Sequence, residues 1–246
     1  MIFAEHIPRK DGLVDFPSDK KIRKQLWPPE YKDHPAKYNC YLVWELTQYL
    51  TTAGQTILDP MSGVGTTMLA SLLDRGVICI ELVEKYYKIQ QHVYNELKRP
   101  TSVMLLHGDC NRFLPLQADC IIFSPPYPTV TMGKYNAARD TGEDFTDYKD
   151  KWNAGTTNEF IYWQRMEKIY KKLLNSAPLM AFTIRDSIRD GKRQPYVQKS
   201  VDMCEAIGWK LQENILITVT DTAFTAVNKK RVDVVQDESV LVFRRN

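Results

Sequence analysis

From about residue 40 onward, short apolar runs alternate with longer stretches whose apolar residues recur every three to four positions. Strands of a sheet covered on both faces read as short continuous apolar runs, and helices read as amphipathic ones. An amphipathic stretch over 41–49 leads to Gly54, and a short strand over 56–58 enters a glycine-containing loop. A helix through Met68, Leu69, Leu72 and Leu73 is expected next, stopped at Gly76. A second strand over 77–80 precedes a helix over 84–99, which Pro100 ends. Strands over 102–106 and 120–123, a helix over 159–174, a strand over 179–184 and a helix over 197–207 follow. The tail changes character: 215–220 and 240–243 are two β-rich runs with only a loop between them. Seven strands in this order predict an α/β, Rossmann-like fold, its doubly wound, mostly parallel sheet closing in a C-terminal antiparallel hairpin.

The whole chain of 246 residues reads as one domain, with residues 1–33 as an N-terminal arm. The long polar stretch from 128 to 158, carrying Gly133, Gly142 and Gly155, has no apolar periodicity and is expected to be a mobile loop. Apolar residues make up 43% and charged residues 26%, and no apolar run reaches membrane-spanning length. Five scattered cysteines, without a CxxC pair or a His-Cys cluster, predict buried free thiols in a reducing cytoplasm and no metal site. The net charge of +3 is too small to announce a nucleic-acid partner. Basic clusters at Lys20-Lys21-Arg23-Lys24, at Arg185 to Lys199 and at Lys229-Lys230-Arg231 allow one, and solvated surface charge explains them equally well.

Chemistry concentrates at predicted strand ends, where a doubly wound sheet places its ligands. The first strand runs into Asp59-Pro60-Met61-Ser62-Gly63-Val64-Gly65-Thr66-Thr67. Gly63 and Gly65 would let backbone approach a ligand, and Thr66 and Thr67 would open the next helix with hydroxyl donors. The second strand ends at Glu81, placed to accept from two ribose hydroxyls. The third ends in His107-Gly108-Asp109-Cys110, placing Asp109 to accept from an adenine amino group. Three such features at successive strand ends are hard to assign to chance. No P-loop string is present, and the third glycine of the dinucleotide fingerprint is missing.

The fourth strand is followed by Ser124-Pro125-Pro126-Tyr127. An exocyclic amino nitrogen of a nucleobase is a poor nucleophile because its lone pair is delocalised into the ring. Acceptors facing its hydrogens favour a pyramidal, reactive nitrogen. Ser124 offers an oxygen, Pro125 a carbonyl fixed by two consecutive prolines, and Tyr127 a ring on which a flipped base can stack. A cytosine C5 methyltransferase would need a cysteine nucleophile, which such enzymes carry after a proline; here no cysteine follows one.

Together the two strings resemble those of the amino-methylating DNA methyltransferases that use S-adenosylmethionine. The first is similar to that family's Asp-Pro-x-x-Gly-x-Gly-Thr-Thr pattern. The segment His34-Pro35-Ala36-Lys37 resembles the His-Pro-Ala-Lys segment that lines the methionine end of the cofactor there. Residues 186–192 and 238–244 also look like the family. The resemblance implies the methyltransferase fold and a cofactor site of His34, Pro35, Ala36, Lys37, Asp59, Pro60, Met61, Gly63, Gly65, Thr66, Thr67, Glu81, Asp109 and Cys110. Ser124, Pro125, Pro126 and Tyr127 would act on a DNA base. The Ser-Pro-Pro-Tyr form points to cytosine N4, in restriction-modification or as an orphan enzyme, with adenine N6 as the alternative. An RNA amino-methyltransferase and a non-catalytic DNA-binding subunit stay open. With little room for a target-recognition domain, sequence reading falls to the 128–158 loop facing DNA, to the N-terminal arm, or to a partner. Separately, a homodimer and, in a restriction system, a cognate endonuclease are the protein partners the resemblance allows.

Overall fold

The structure, a computed structural model, describes residues 2–34, 37–100, 102–127, 159–189, 192–218, 235 and 237–246. Pro35, Ala36, the expected 128–158 loop and the Lys229-Lys230-Arg231 cluster lie outside the described residues.

Seven strands form the body of the sheet. They are β3 (Thr56–Asp59), β4 (Gly76–Glu81), β5 (Val103–His107), β6 (Cys120–Phe123), β7 (Leu179–Ile184), β10 (Trp209–Thr218) and β11 (Asp237–Arg245), in the order β5-β4-β3-β6-β7-β11-β10. The first five are parallel neighbours, and β11 runs antiparallel to both β7 and β10. The expected parallel sheet and closing hairpin are both present. A short N-terminal hairpin, β1 (Arg9–Lys10) with β2 (Leu13–Val14), touches β10 at Ile217 and extends the sheet to nine strands. A separate pair, β8 (Ser187–Arg189) and β9 (Lys192–Gln194), follows β7.

Alternation along the strands divides the core in two. Ile57, Val77, Cys79, Cys120 and Ile122 face one layer, made with α2 (Cys40–Leu50), α3 (Glu84–Glu96) and the N-terminal segment. Leu58, Ile80, Ile121, Phe123, Met180 and Phe182 face the other. There α5 (Glu159–Leu173) packs Tyr162, Met166, Ile169, Tyr170 and Leu173, and α6 (Tyr196–Ile207) packs Val201 and Cys204. A four-residue helix, α4 (Cys110–Phe113), begins shortly after the end of β5.

The N-terminal arm packs into the fold: Phe3, Val14, Phe16, Trp27 and Tyr31 are buried in the first core layer, and α1 (Lys20–Leu26) lies among them. Within the Lys20-Lys21-Arg23-Lys24 cluster, Arg23 is only 2% exposed. The segment after the glycine loop is a 3-10 helix, Thr66–Leu73. It ends at Asp74 in a left-handed conformation (φ 59°), and Gly76 begins β4 instead of stopping the helix. The last hairpin is also longer than its apolar runs. The start of β10, Trp-Lys-Leu-Gln-Glu-Asn, alternates buried or half-buried with exposed positions, which hides it from a search for continuous apolarity.

All five cysteines are free and buried; burial pushes the Cys110 and Cys120 thiols up to about 12. Among the described residues no helix is long and apolar enough to cross a membrane, and no group of three or more His, Cys, Asp or Glu could hold a metal.

Candidate active site

The strand order puts β3 between β4 and β6, so the glycine loop leaving β3 lies beside both the Glu81 end of β4 and the Ser124 segment leaving β6. Two structural choices at the sheet's carboxyl edge therefore meet without any long insertion.

The loop is tied down by its own chain. Asp59 is buried; one carboxylate oxygen accepts from the Met61 amide (3.1 Å) and the other from the Thr67 hydroxyl (2.7 Å). Burial nevertheless pushes its carboxyl up to about 7. Glu81 accepts from the Gly63 amide at 2.7 Å and from the Val83 amide at 2.8 Å; burial pushes it up to about 8. Met61 packs half-buried against the second core layer, and Pro60 is buried.

Gly63 and Gly65 both take left-handed backbone, φ +51° and +78°. Both glycines also border the protein's own side chains. A Cβ on Gly63 would stand 2.9 Å from the His34 imidazole, and one on Gly65 would run into Met68 and the Gln90 side chain, 2.9 Å from its Cγ. Left-handed backbone favours glycine at both, and at Gly65 the contact with the Gln90 stem adds to it. The hydroxyls of Thr66 and Thr67, expected as ligand donors, turn inward as well: Thr66 accepts from Arg23 (3.2 Å) and Thr67 donates to Asp59.

Residues that motif reading passed over hold this loop. Gln90 of α3 is fully buried and donates to the Ser62 hydroxyl (2.8 Å) and the Gly63 carbonyl (2.7 Å). It lies on the buried face of α3 with Tyr86, Ile89 and Val93, so a polar residue on an apolar helical stripe was its available signal. The Trp27 indole donates to the Val64 carbonyl at 2.8 Å. Arg23 joins Asp19 (2.9 Å), the Tyr38 carbonyl and Thr66, with its guanidinium 4.8 Å from the Trp27 ring.

His34 packs edge-on against Tyr86 (4.4 Å between centroids) and borders Gly63. Lys37 donates to the His34 carbonyl at 2.5 Å; burial, then the neighbouring Arg23 charge, lowers its ammonium to about 8. Asp109 is half-buried and caps α4, accepting from the Asn111 amide at 2.9 Å, and Cys110 is buried beneath it. The Gly108 amide donates to the Glu81 carbonyl (2.8 Å), joining the ends of β4 and β5. A cleft of about 760 Å³ opens beside these ends, lined by Leu82, Val83 and His107 on one side and Pro28 and Glu30 on the other.

On the β6 side, the Thr183 hydroxyl of β7 donates to Ser124 Oγ at 3.0 Å. The Tyr38 hydroxyl donates to the Phe123 carbonyl at 2.7 Å, so the segment bearing Lys37 reaches the strand that bears Ser124. Pro125 is buried, Pro126 half-buried. The Tyr127 hydroxyl donates to Glu238 of β11, and the Arg185 guanidinium lies 5.3 Å from the Tyr127 ring centroid. Burial raises both the Tyr127 hydroxyl and the Glu238 carboxyl above their ordinary values. The structure thus gathers Asp59, Gly63, Glu81 and Asp109 along one edge with Ser124 and Tyr127.

Residues 8–92 match the model of a family described as DNA methylase, of the N6/N4 methyltransferase type. The match spans the glycine loop and Glu81 and stops before Ser124, so the Ser-Pro-Pro-Tyr string is a separate observation. No curated protein matches the chain in sequence. Among solved structures, a putative RNA methyltransferase from Pyrococcus horikoshii superposes with a TM-score of 0.52 at 13% identity, over 83% of this chain and 80% of that one. A precorrin-6y C5,15-methyltransferase from Geobacter metallireducens gives 0.53 at 9% identity, over 86% and 91%. TYW2 from M. jannaschii, in complex with AdoMet, gives 0.50 at 13%, over 98% and 86%. At these identities they share the fold, an α/β methyltransferase architecture. The methyl donor of the matched family is S-adenosylmethionine. Over residues 8–92 the chain is similar to the amino-methylating N6/N4 DNA methylases, and its fold is the α/β methyltransferase architecture.

Proposed function

We propose that this protein methylates the exocyclic amino nitrogen of a flipped DNA base, preferably N4 of cytosine. The observation that carries the reading is adjacency. The glycine loop and the Ser124–Tyr127 segment leave neighbouring parallel strands at the same edge of the sheet.

The residues fit the family's cofactor. Glu81 presents a carboxylate at the end of β4, suited to a ribose diol, beside a cleft whose lining mixes Leu82, Val83 and Ile89 with Glu84, Lys85 and Lys88. Asp109 would serve the adenine amino group, with Cys110 beneath it, and His34 and Lys37 the methionine end, with Asp59 holding the loop in shape. S-adenosylmethionine supplies an electrophilic methyl group on a sulfonium. The chain's own part is to grip the nucleophile. Ser124 Oγ and the Pro125 carbonyl accept from the amino group and favour its reactive geometry. Pro126 stiffens that carbonyl, and Tyr127 stacks on the ring. Thr183 donates to Ser124, orienting the serine oxygen from behind. The amino proton becomes acidic once the methyl group has arrived, so no strong base is needed.

Polymerase-copied, unmethylated DNA incubated with the protein and S-adenosylmethionine, then digested to nucleosides for mass spectrometry, tests this. N4-methylcytosine is expected. N6-methyladenine would keep the mechanism and change the base. 5-Methylcytosine, or methyl transfer to a transfer RNA pool and none to DNA, would overturn the reading.

A further inference from the structure

A half-buried carboxylate bonded to a site residue needs a reason, because removing its charge from water is costly. Glu238, the second residue of β11, precedes Ser239, which pairs with Ile184 of β7, and β7 pairs in turn with β6. From two strands away Glu238 receives the hydroxyl of Tyr127, which follows β6. Arg185, one residue past the end of β7, sets its guanidinium against the same ring. The ring is thus held at its hydroxyl by a carboxylate and has a cation over one face. A hydroxyl bonded to a fixed acceptor also fixes the plane of its ring. Preset geometry of this kind removes an ordering cost from the reactive complex.

We infer that Glu238 is a positioning residue which, with Arg185, sets the plane of Tyr127 so that an incoming base meets a ring already aligned. The inference rests on the reading of Tyr127 as the stacking platform. Glu238 touches no substrate in this scheme and acts only through the tyrosine.

The test compares Tyr127→Phe, Glu238→Ala, Glu238→Gln, the Tyr127→Phe/Glu238→Ala double variant and Tyr127→Ala in the full chain. Methyl transfer from tritiated S-adenosylmethionine to polymerase-copied DNA gives kcat and the KM for DNA, titration calorimetry gives cofactor affinity, and thermal melting gives stability. Glu238→Ala should lower kcat about tenfold, the scale of one hydrogen bond to a charged group, with cofactor affinity unchanged. Glu238→Gln keeps an acceptor and should recover most of the rate. Tyr127→Phe should cost about as much as Glu238→Ala, and the double variant no more than either, because all delete one interaction. Additive losses, or Glu238→Ala losing only stability or cofactor affinity, would overturn the inference. If Glu238→Ala fails to fold, Glu238→Gln and Tyr127→Phe decide it: a glutamine variant as slow as the phenylalanine one contradicts a role as acceptor. The two readings fail differently. A fully active Tyr127→Ala removes the stacking platform itself; an inactive Tyr127→Ala with fully active Tyr127→Phe and Glu238→Ala removes only the positioning role.

Discussion

The two halves of the site are built in opposite ways. Around the glycine loop, contacts run between successive elements of one half-sheet: Asp59 with Thr67, Glu81 with Gly63, Gln90 with Ser62. Around Ser124 and Tyr127 the partners come from the far end of the chain, Thr183 being 59 residues away and Glu238 111. The first half is a self-contained cradle whose polar groups are largely used within the protein. The second is a short motif whose precision is borrowed from β7 and β11. Perturbations should therefore act on stability and cofactor affinity in the first half and on turnover in the second.

The largest effect should follow Gly65→Ala. The residue needs left-handed backbone, and the added methyl collides with Met68 and Gln90 beneath the loop. Backbone strain and overpacking together should cost about 3 kcal/mol, lowering the melting temperature by roughly 10 °C in a domain of this size. A melting temperature within about 2 °C of wild type would show that the loop is slack and the comparison wrong on this side.

Tyr127→Ala comes next and belongs to the other half. Loss of a stacking platform worth about 1–3 kcal/mol should slow methyl transfer roughly 10- to 100-fold while leaving calorimetric cofactor affinity intact. Weakened cofactor binding with unchanged kcat at saturating cofactor would place Tyr127 in the cradle instead.

How far the sequence reveals each half follows from the same contrast. The placement of Asp59, Gly63, Glu81 and Asp109 at or just past strand ends is legible because the strands recur at regular intervals. Gly65 is legible as glycine, but its contact with Gln90 belongs to packing between elements. The fold is legible through β3 to β7, whose apolar runs are continuous, and blurred in β10, where polar residues alternate on an edge-side strand. Ser124 and Tyr127 are legible as a motif. Thr183, Arg185 and Glu238 are not, since nothing local marks a residue whose role depends on strands meeting across the sheet order. Arg23 misled for a related reason: a basic cluster reads as surface, and only the fold places one of its members against Tyr38 and Thr66.

A smaller effect concerns pH. Burial raises Glu81 from 4.5 to about 8 and Asp59 from 3.8 to about 7. The folded protein thus holds these protons more tightly than the unfolded chain. Their contribution to stability is full below about pH 4 and is lost as pH rises through 7 to 8. A ribose diol donating to Glu81 favours the ionised form, so cofactor affinity should move the other way. With half the Glu81 ionised at pH 8 and about a tenth at pH 7, affinity should fall about fivefold from the higher pH to the lower. Calorimetry in buffers of different ionisation enthalpy should register proton release on binding, and Glu81→Gln should abolish it. A flat pH profile in the wild type would remove Glu81 from the diol-binding role.

The smallest effect tests whether the long-range partners of the second half matter at all. Thr183→Val keeps the shape of the β7 side chain and deletes its hydroxyl, which donates to Ser124 at 3.0 Å. The native threonine is only 1% exposed, and the valine methyl group would replace the hydroxyl there without opening a cavity. One neutral hydrogen bond is worth about 1 kcal/mol net, which sets the expected loss in kcat at roughly two- to fivefold. Stability should change by less than about 1 kcal/mol, because Ser124 is only half-buried and can turn to solvent. The diagnostic is the combination with Ser124→Ala. If Thr183 acts by orienting the serine oxygen, the double variant should be no slower than Ser124→Ala alone. A further slowing in the double variant would mean that Thr183 reaches the reacting base on its own account, and the base grip would then extend onto β7.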